Sequence, residues 1–237
     1  MAILDFFSKF DIDIIYQDDD FLIIDKPAGL LVHPTKYSKE KTLVDWLLEN
    51  YPEIKNVGEK SRSGIVHRLD KEVSGLMVIA RTKRMYEHLI KQFSENKIKK
   101  EYLALVHGQP SEEKGVIDLP IGRTKKGKLV AVKYRKGIKL EKPAITEYEI
   151  IQKFKNYTLL KVKPLTGRTH QIRVHLKAIG CPIVNDKKYC KLKIVNCKLT
   201  RIFLHASYLG FYDLEGKWRE FKSELPIELN DFLSELK

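Results

Sequence analysis

An α+β domain is the simplest account of this 237-residue chain. Short β-rich runs alternate with stretches whose apolar residues recur at helical spacing. No repeat, proline-rich linker or change of composition divides the sequence, and its length is enough to bury a sizeable core without staples. The expectation is therefore one domain over residues 1–237.

Ile12 to Tyr16 and Phe21 to Asp25 predict a hairpin turning at Gln17-Asp18-Asp19-Asp20. In Lys26-Pro27-Ala28-Gly29-Leu30 the proline and glycine suit a tight turn, and Pro34 ends the extended piece that follows. Thr42 is placed to cap a short helix with Leu43, Trp46 and Leu47 on one face. Tyr51 to Ser63, charged and without a period, reads as a loop. Ile65-Val66 and Leu76 to Ala80 read as buried strand, with Ser74-Gly75 reversing the chain before the second run in the plainest reading. Thr82 predicts the cap of a helix over Lys83 to Ser94, in which Met85, Leu89, Ile90 and Phe93 recur at helical spacing. Lys99 to Gly108 reads as a strand ending at a turn, with Tyr102 near its head beside two lysines.

Gly122-Arg123-Thr124-Lys125-Lys126-Gly127-Lys128 has the glycine and lysine spacing of a phosphate-binding loop. Leu129 stands where a magnesium-holding hydroxyl is required, and Val130-Ala131-Val132 is β-prone rather than helical, so nucleotide binding is rejected. Contact of this basic loop with a nucleic-acid backbone stays open beside a disordered surface loop. Thr146 to Phe154 and Tyr157 to Val162 predict a second hairpin, turning at Lys155-Asn156. From Pro164 to Gly180, Thr169 is the expected helix cap, Ile172, Leu176 and Ile179 the apolar stripe and Gly180 the stop. Arg201 to Phe211 predicts a last long strand, followed by Trp218, Phe221 and an amphipathic tail.

Lys and Arg outnumber Asp and Glu by 44 to 31, a formal charge of +13 spread over every segment, which points to a polyanionic partner. Cys181, Cys190 and Cys197 form no C-x-x-C pair, so neither a disulfide framework nor a zinc knuckle is indicated, and reduced thiols in the cytoplasm are expected. The first ten residues make a poor signal peptide, with Asp5 early and no long apolar core. No apolar run reaches the ~18 residues of a membrane span, so no membrane partner is expected. With no coiled-coil or apolar interface stripe evident, a monomer is expected.

Polar residues concentrate where the strand pattern is interrupted, in Gly64 to Gly75 and Gly167 to His175. A metal centre built from His67, Asp70, His170 and His175 is not expected: the two histidines of the helix are five apart, which turns them from a common face, and no H-E-x-x-H accompanies them. His67-Arg68-Leu69-Asp70 also echoes a kinase catalytic loop, but the carboxylate is one place late and Val73-Ser74-Gly75 offers no magnesium-binding Asn. Taken alone, Arg68 and Asp70 read as a self-solvating turn, Tyr102 as a strand aromatic, and Arg168 and Arg173 as helix cations paired with nearby carboxylates.

Four blocks taken together alter that reading. Lys26-Pro27-Ala28-Gly29-Leu30 with Val32-His33-Pro34, His67-Arg68-Leu69-Asp70 with Ser74-Gly75-Leu76, Lys100-Glu101-Tyr102, and Gly167-Arg168-Thr169-His170-Gln171-Ile172-Arg173-Val174-His175 occur in that order. The chain in this respect resembles the RluA family of RNA pseudouridine synthases, over about Ile12 to Leu229. The resemblance implies a pseudouridine synthase fold: a mixed, largely antiparallel sheet with flanking helices and a central basic cleft. It implies that Asp70 is the catalytic carboxylate, Tyr102 the aromatic that stacks on the target uracil and assists proton removal, and Arg173 the cation paired with Asp70. Arg68 resembles the arginine that enters the space vacated by the flipped nucleotide, and Lys100, Arg168 and His67 complete the candidate RNA-binding set. His33 and His175, like His67, are expected to be hydrogen-bonded rather than catalytic. Val73 replaces the family's usual threonine, and too few residues precede Ile12 for the S4-like RNA-binding domain that many relatives carry, which is expected to be absent.

The chemistry agrees with these roles. Converting uridine to pseudouridine breaks C1′–N1 and forms C1′–C5 without net redox change, so a carboxylate suffices and no cofactor or metal is expected. That carboxylate must be ionised, which a paired arginine favours. The expected partner is ribosomal or transfer RNA.

Overall fold

The computed structural model describes residues 7, 10, 12–34, 38, 40–132, 139–190, 192 and 199–236. Cys197 and most of the N-terminal segment read against a signal peptide lie outside them. The chain forms two compact units, the first of Met1–Lys99 and Tyr208–Ser223, the second of Lys100–Ser207 and Glu224–Lys237.

In the first unit, β1 (Asp13–Gln17) and β2 (Phe21–Lys26) form the predicted hairpin. The Asp18 carboxylate closes it by accepting the Asp20 and Phe21 amides at 3.0 and 2.8 Å. β2 pairs antiparallel with β3 (Ser74–Ala80), Phe21 opposite Ala80 and Lys26 opposite Gly75. The strands carry unbroken apolar runs, Phe21 to Ile24 and Leu76 to Ala80, because nearly every residue in them is buried. Helix α1 (Leu43–Asn50) starts where the Asp45 carboxylate accepts both the amide and the hydroxyl of Thr42, at 2.7 and 2.8 Å. Helix α2 (Lys83–Ser94) starts where the Thr82 hydroxyl accepts the Met85 amide at 3.2 Å. Its inner face holds Met85 and Leu89, whereas Ile90 is exposed. Gln92 is buried in its stead, with its amide side chain bonded to both backbone groups of Tyr212. The Tyr208–Tyr212 part of strand β11 (Leu204–Tyr212) pairs with β12 (Trp218–Lys222). Phe21, Phe211, Phe221 and Tyr16 cluster there with ring centroids 5.2–6.3 Å apart.

Predictions for the loops of this unit also fail. Tyr51 to Ser63 contains a 3₁₀-helix, Pro52–Asn56, started by a proline whose fixed φ suits it. Ile65-Val66 is no strand: Ile65 makes one isolated bridge to Ile79, and the strand begins at Ser74 rather than reversing there. Gly64 explains the departure. Its φ is +71°, its amide is bonded to Val57 and its carbonyl takes the Ala80 amide, so the chain peels away at once.

In the second unit, β4 (Lys99–His107, the first residue belonging to the other unit), β10 (Tyr157–Pro164), β9 (Ile145–Lys153) and β5 (Lys114–Asp118) lie in that order, antiparallel throughout. Strands β6 (Ile121–Arg123), β7 (Leu129–Ala131) and β8 (Lys139–Lys142) make a small separate sheet. The Gly122–Lys128 segment is its ordered hairpin tip, with Gly127 at φ +75°, and a strand rather than a phosphate-binding helix follows. Helix α3 (Gln171–Ala178) packs on β9 and β10, and α4 (Ile227–Ser234) anchors Leu229. The residue before α3 is His170, in left-handed conformation at φ +54°, so Thr169 is not the cap. Nor is α3 amphipathic in the predicted way: all six residues from Gln171 to Leu176 are buried. Antiparallel sheets with helices laid on them bear out the α+β class. Among the described residues no helix is long and apolar enough to cross a membrane.

A β-carbon on Gly64 would come within 2.7 Å of the Ala80 carbonyl oxygen. Together with the positive φ, this sets the expected cost of Gly64→Ala at about 2 kcal/mol or more, read as a lower urea midpoint with an unchanged slope.

Candidate active site

In the first unit Asp70 stands half-buried at the end of a loop pinned by the buried Leu69. Its carbonyl accepts the Val73 amide at 3.1 Å, and the next carbonyl, of Lys71, accepts the Gly29 amide at 2.7 Å. The Lys26 side chain, with no exposed surface, carries its ammonium to the same place. Nζ donates to the carbonyls of Pro27 at 2.7 Å, Leu30 at 3.0 Å and, more weakly, Lys71 at 3.4 Å. A buried ammonium costs several kcal/mol unless its protons are taken, so the two loops must wrap it with their carbonyls, and the backbone beside Asp70 is fixed as a result. Gly29, at φ +89°, provides the turn that the wrapping needs.

His67 points inward. Its Nε2 accepts the Val78 amide at 3.0 Å and its ring lies 5.0 Å from that of Phe93, so it secures the strand that follows the Asp70 loop. Arg68 is exposed, and its Nη1 lies 2.6 Å from Nε2 of the buried His33.

In the second unit Tyr102 is half-buried on β4, opposite Val162, which in turn faces Tyr148 across β9. Strand alternation puts Lys100 on the Tyr102 side of β4 and Glu101, paired with Lys163 at 3.0 Å, on the other. Burial pulls the Lys100 ammonium down to about 8. Arg168 donates through Nε to the Pro143 carbonyl at 2.9 Å.

Arg173 is 4 % exposed and makes a two-pronged pair with Asp186, Nε to Oδ2 and Nη2 to Oδ1, each 2.8 Å. Its guanidinium lies 5.2 Å from the centre of the Tyr189 ring. Burial drives the Asp186 carboxyl upward, but the Arg173 hydrogen bonds and charge, with the Tyr189 and Lys188 amides, outweigh it and hold the group below the usual carboxylate range. Around this pair the other polar residues of α3 are satisfied internally. The Gln171 side chain accepts from the Thr166 hydroxyl and the Arg168 amide, and donates to the Ile145 carbonyl and the Thr146 hydroxyl oxygen. His175 donates from Nε2 to the Leu119 carbonyl and accepts the Thr146 hydroxyl at Nδ1, both at 2.9 Å. Burial lowers its pKa, the Leu119 bond and the Asp118 charge opposing only in part.

Comparison with known proteins gives these two groups of residues a common context. Residues 20–178 match the family model described as RNA pseudouridylate synthase. The chain belongs to that family. It is 37% identical over 228 residues to the RNA pseudouridine synthase YlyB of Bacillus subtilis, covering 96% of this chain and 73% of the relative. To ribosomal large subunit pseudouridine synthase D of Zymomonas mobilis it is 36% identical, covering 92% and 70%. The solved structure of human RNA Pseudouridylate Synthase Domain Containing 1 superposes with a TM-score of 0.77 at 26% identity, covering 94% of this chain and 87% of that one. Relatives of this kind place it in the RluA group of pseudouridine synthases, isomerases that act on RNA.

Two functional supports of this pseudouridine synthase escaped sequence reasoning. Asp186 lay in a stretch without a period, and only its place ahead of Lys188 and Tyr189, whose amides it accepts, marks it as a turn-former. Lys26 was visible as part of a block but had no role. A lysine closing a strand directly ahead of a Pro-Ala-Gly turn is the available signal.

Asp186→Ala removes both prongs from a buried guanidinium, and the expected loss is about 3–5 kcal/mol by urea unfolding, against less than about 1 kcal/mol for Glu40→Ala at the exposed Lys71 pair. Because His175 is kept neutral in the fold, an unfolded histidine binds its proton first on acidification. Stability is complete above the ordinary pKa of 6.5 and declines as pH falls through the lower folded value. The decline reaches at most about 1.4 kcal/mol per pH unit, and His175→Gln should flatten it in unfolding curves taken from pH 7.5 to 5.

Proposed function

We propose that the chain isomerises uridine to pseudouridine in structured RNA, with large-subunit ribosomal RNA the foremost substrate and Asp70 the catalytic carboxylate. Tyr102 stacks on the extruded uracil and assists removal of the C5 proton, and Arg173 is the cation paired with Asp70. Arg68 fills the space left by the flipped nucleotide, Lys100 and Arg168 contact the RNA, and His67, turned inward onto the Val78 amide, supports the loop that carries Arg68 rather than touching RNA itself. The enzyme works as a monomer in the cytoplasm and needs no cofactor. The observation that carries this reading is the family match over residues 20–178, which includes every residue given a role. The ribosomal assignment draws on the name of the Zymomonas relative, and the formal charge of +13 supports a polyanionic substrate.

The bonds balance without an outside reagent. C1′–N1 breaks, C1′–C5 forms, C5 gives up its proton and N1 gains one. An ionised carboxylate serves as the covalent or ion-stabilising group in this sequence. The Asp186 fork fixes the plane of the Arg173 guanidinium, which supports its use as an oriented cation. Extruding a paired base costs a few kcal/mol, and stacking on an aromatic such as Tyr102 returns roughly 1–3 kcal/mol.

The test is release of tritium from RNA labelled at uridine C5, the atom that must surrender its hydrogen. Wild-type protein should release it from ribosomal RNA, and Asp70→Asn should be slower by about a hundredfold or more while still retaining RNA on a filter. Equal release by both proteins removes Asp70 from the mechanism. No release by either, with RNA bound, favours a catalytically silent RNA-binding module. Binding itself should weaken steeply as salt rises, since phosphate contacts displace counterions.

A further inference from the structure

Arg68 is exposed, yet its guanidinium has a fixed anchor in the same unit. His33 sits between Val32, whose carbonyl takes the Val44 amide at 3.1 Å, and Pro34, and it is 6 % exposed. Its two ring nitrogens meet opposite demands. Nδ1 lies 3.0 Å from the Pro34 carbonyl, which only accepts, so Nδ1 carries the proton. Nε2 lies 2.6 Å from Nη1 of Arg68, which only donates, so Nε2 presents a lone pair. Both contacts are satisfied by one species, the neutral Nδ1–H imidazole.

We propose that His33 is a positioning residue for Arg68, holding the guanidinium in its RNA-contacting pose while neutral and releasing it when protonated. The proposal rests on the reading of Arg68 as an RNA contact. A proton on Nε2 would take away the acceptor and set two cations 2.6 Å apart, so the bond cannot survive it. The surroundings hold off that proton near neutral pH. Burial disfavours it most, the bond to the Pro34 carbonyl favours it and is outweighed, Arg68 and Arg62 repel it, and Glu59, exposed and 3.5 Å from Arg62, attracts it only weakly. Orienting a long side chain before RNA arrives spares the ordering that binding would otherwise require.

Two measurements test this. The ¹⁵N shifts of the His33 ring should report the Nδ1–H tautomer at pH 7.5, and an Nε2–H tautomer overturns the proposal whatever the protein does to RNA. RNA binding by anisotropy, with tritium release from C5-labelled bulk cellular RNA, is then followed from pH 7.5 to 5.5. A basic protein ordinarily gains RNA affinity as its histidines charge, whereas here wild-type binding should fall relative to His33→Gln as the pH drops, by no more than about tenfold per pH unit. His33→Gln, whose amide oxygen accepts from Arg68 at every pH, should be flat by comparison. His33→Leu should be weak throughout. Adding either His33 change to Arg68→Met should produce no further loss. If wild type and His33→Gln share one pH profile, or His33→Leu matches wild type at pH 7.5, the latch is wrong. If Arg68→Met alone leaves binding and turnover intact while the tautomer is as stated, it is the RNA-contacting reading of Arg68 that fails. His33→Gln keeps the test decisive should His33→Leu not fold.

Discussion

A lysine ammonium withdrawn from water must find carbonyl oxygens, and at Lys26 those oxygens are supplied by two segments of backbone beside Asp70. The turn after β2 folds back to offer Pro27 and Leu30, and the segment after Asp70 offers Lys71. Neither loop has a regular structure of its own to hold it. Their common geometry follows from a single charge that cannot be left bare. The Gly29 amide bonded to Lys71 adds a neutral tie to the charged one, so Asp70 stands on backbone fixed from two directions.

The second unit solves a related problem by a different route. Gln171, Arg173 and His175 face inward from three successive alternate positions of α3, a pattern that would wreck an apolar core. Each finds a partner of matching kind. Arg173 meets a carboxylate, Gln171 meets two donors and two acceptors, and His175 meets one of each. Because these partners come from β9, the residue after β5, the loop before α3 and the Asp186 turn, the helix has one seat and no sliding register. A polar interior of this sort contributes less to stability than an apolar one of equal volume, while fixing the orientation of the guanidinium more closely.

Where periodicity and punctuation govern, the chain was legible. Asp18 at the first turn, Thr42 and Thr82 at helix starts, and the hairpin through Lys155-Asn156 all stand where local chemistry puts them. Legibility stopped where distant partners override local preference. Thr169 has the side chain of a cap, but His170 in left-handed conformation starts α3, with its Nδ1 against the Tyr189 hydroxyl at 2.8 Å. Ile90 obeys the helical period and is exposed, because Gln92 is needed inside to satisfy Tyr212. The candidate residues divide in the same way. Asp70, Tyr102 and Arg173 were visible as residue types in recognisable blocks, whereas Lys26 and Asp186 act through contacts 45 and 13 residues away, which no spacing rule reaches.

The Gly29 amide has one more consequence, which concerns motion. Its hydrogen is held by a carbonyl next to Asp70, so it exchanges with solvent only when the junction between the two loops parts. If that junction opens only with the whole unit, this amide will exchange at the rate of the buried β2 and β3 amides. If the loops breathe on their own, it will exchange sooner while the strands remain protected. A single backbone proton thus measures how often the carboxylate's support comes apart without the protein unfolding.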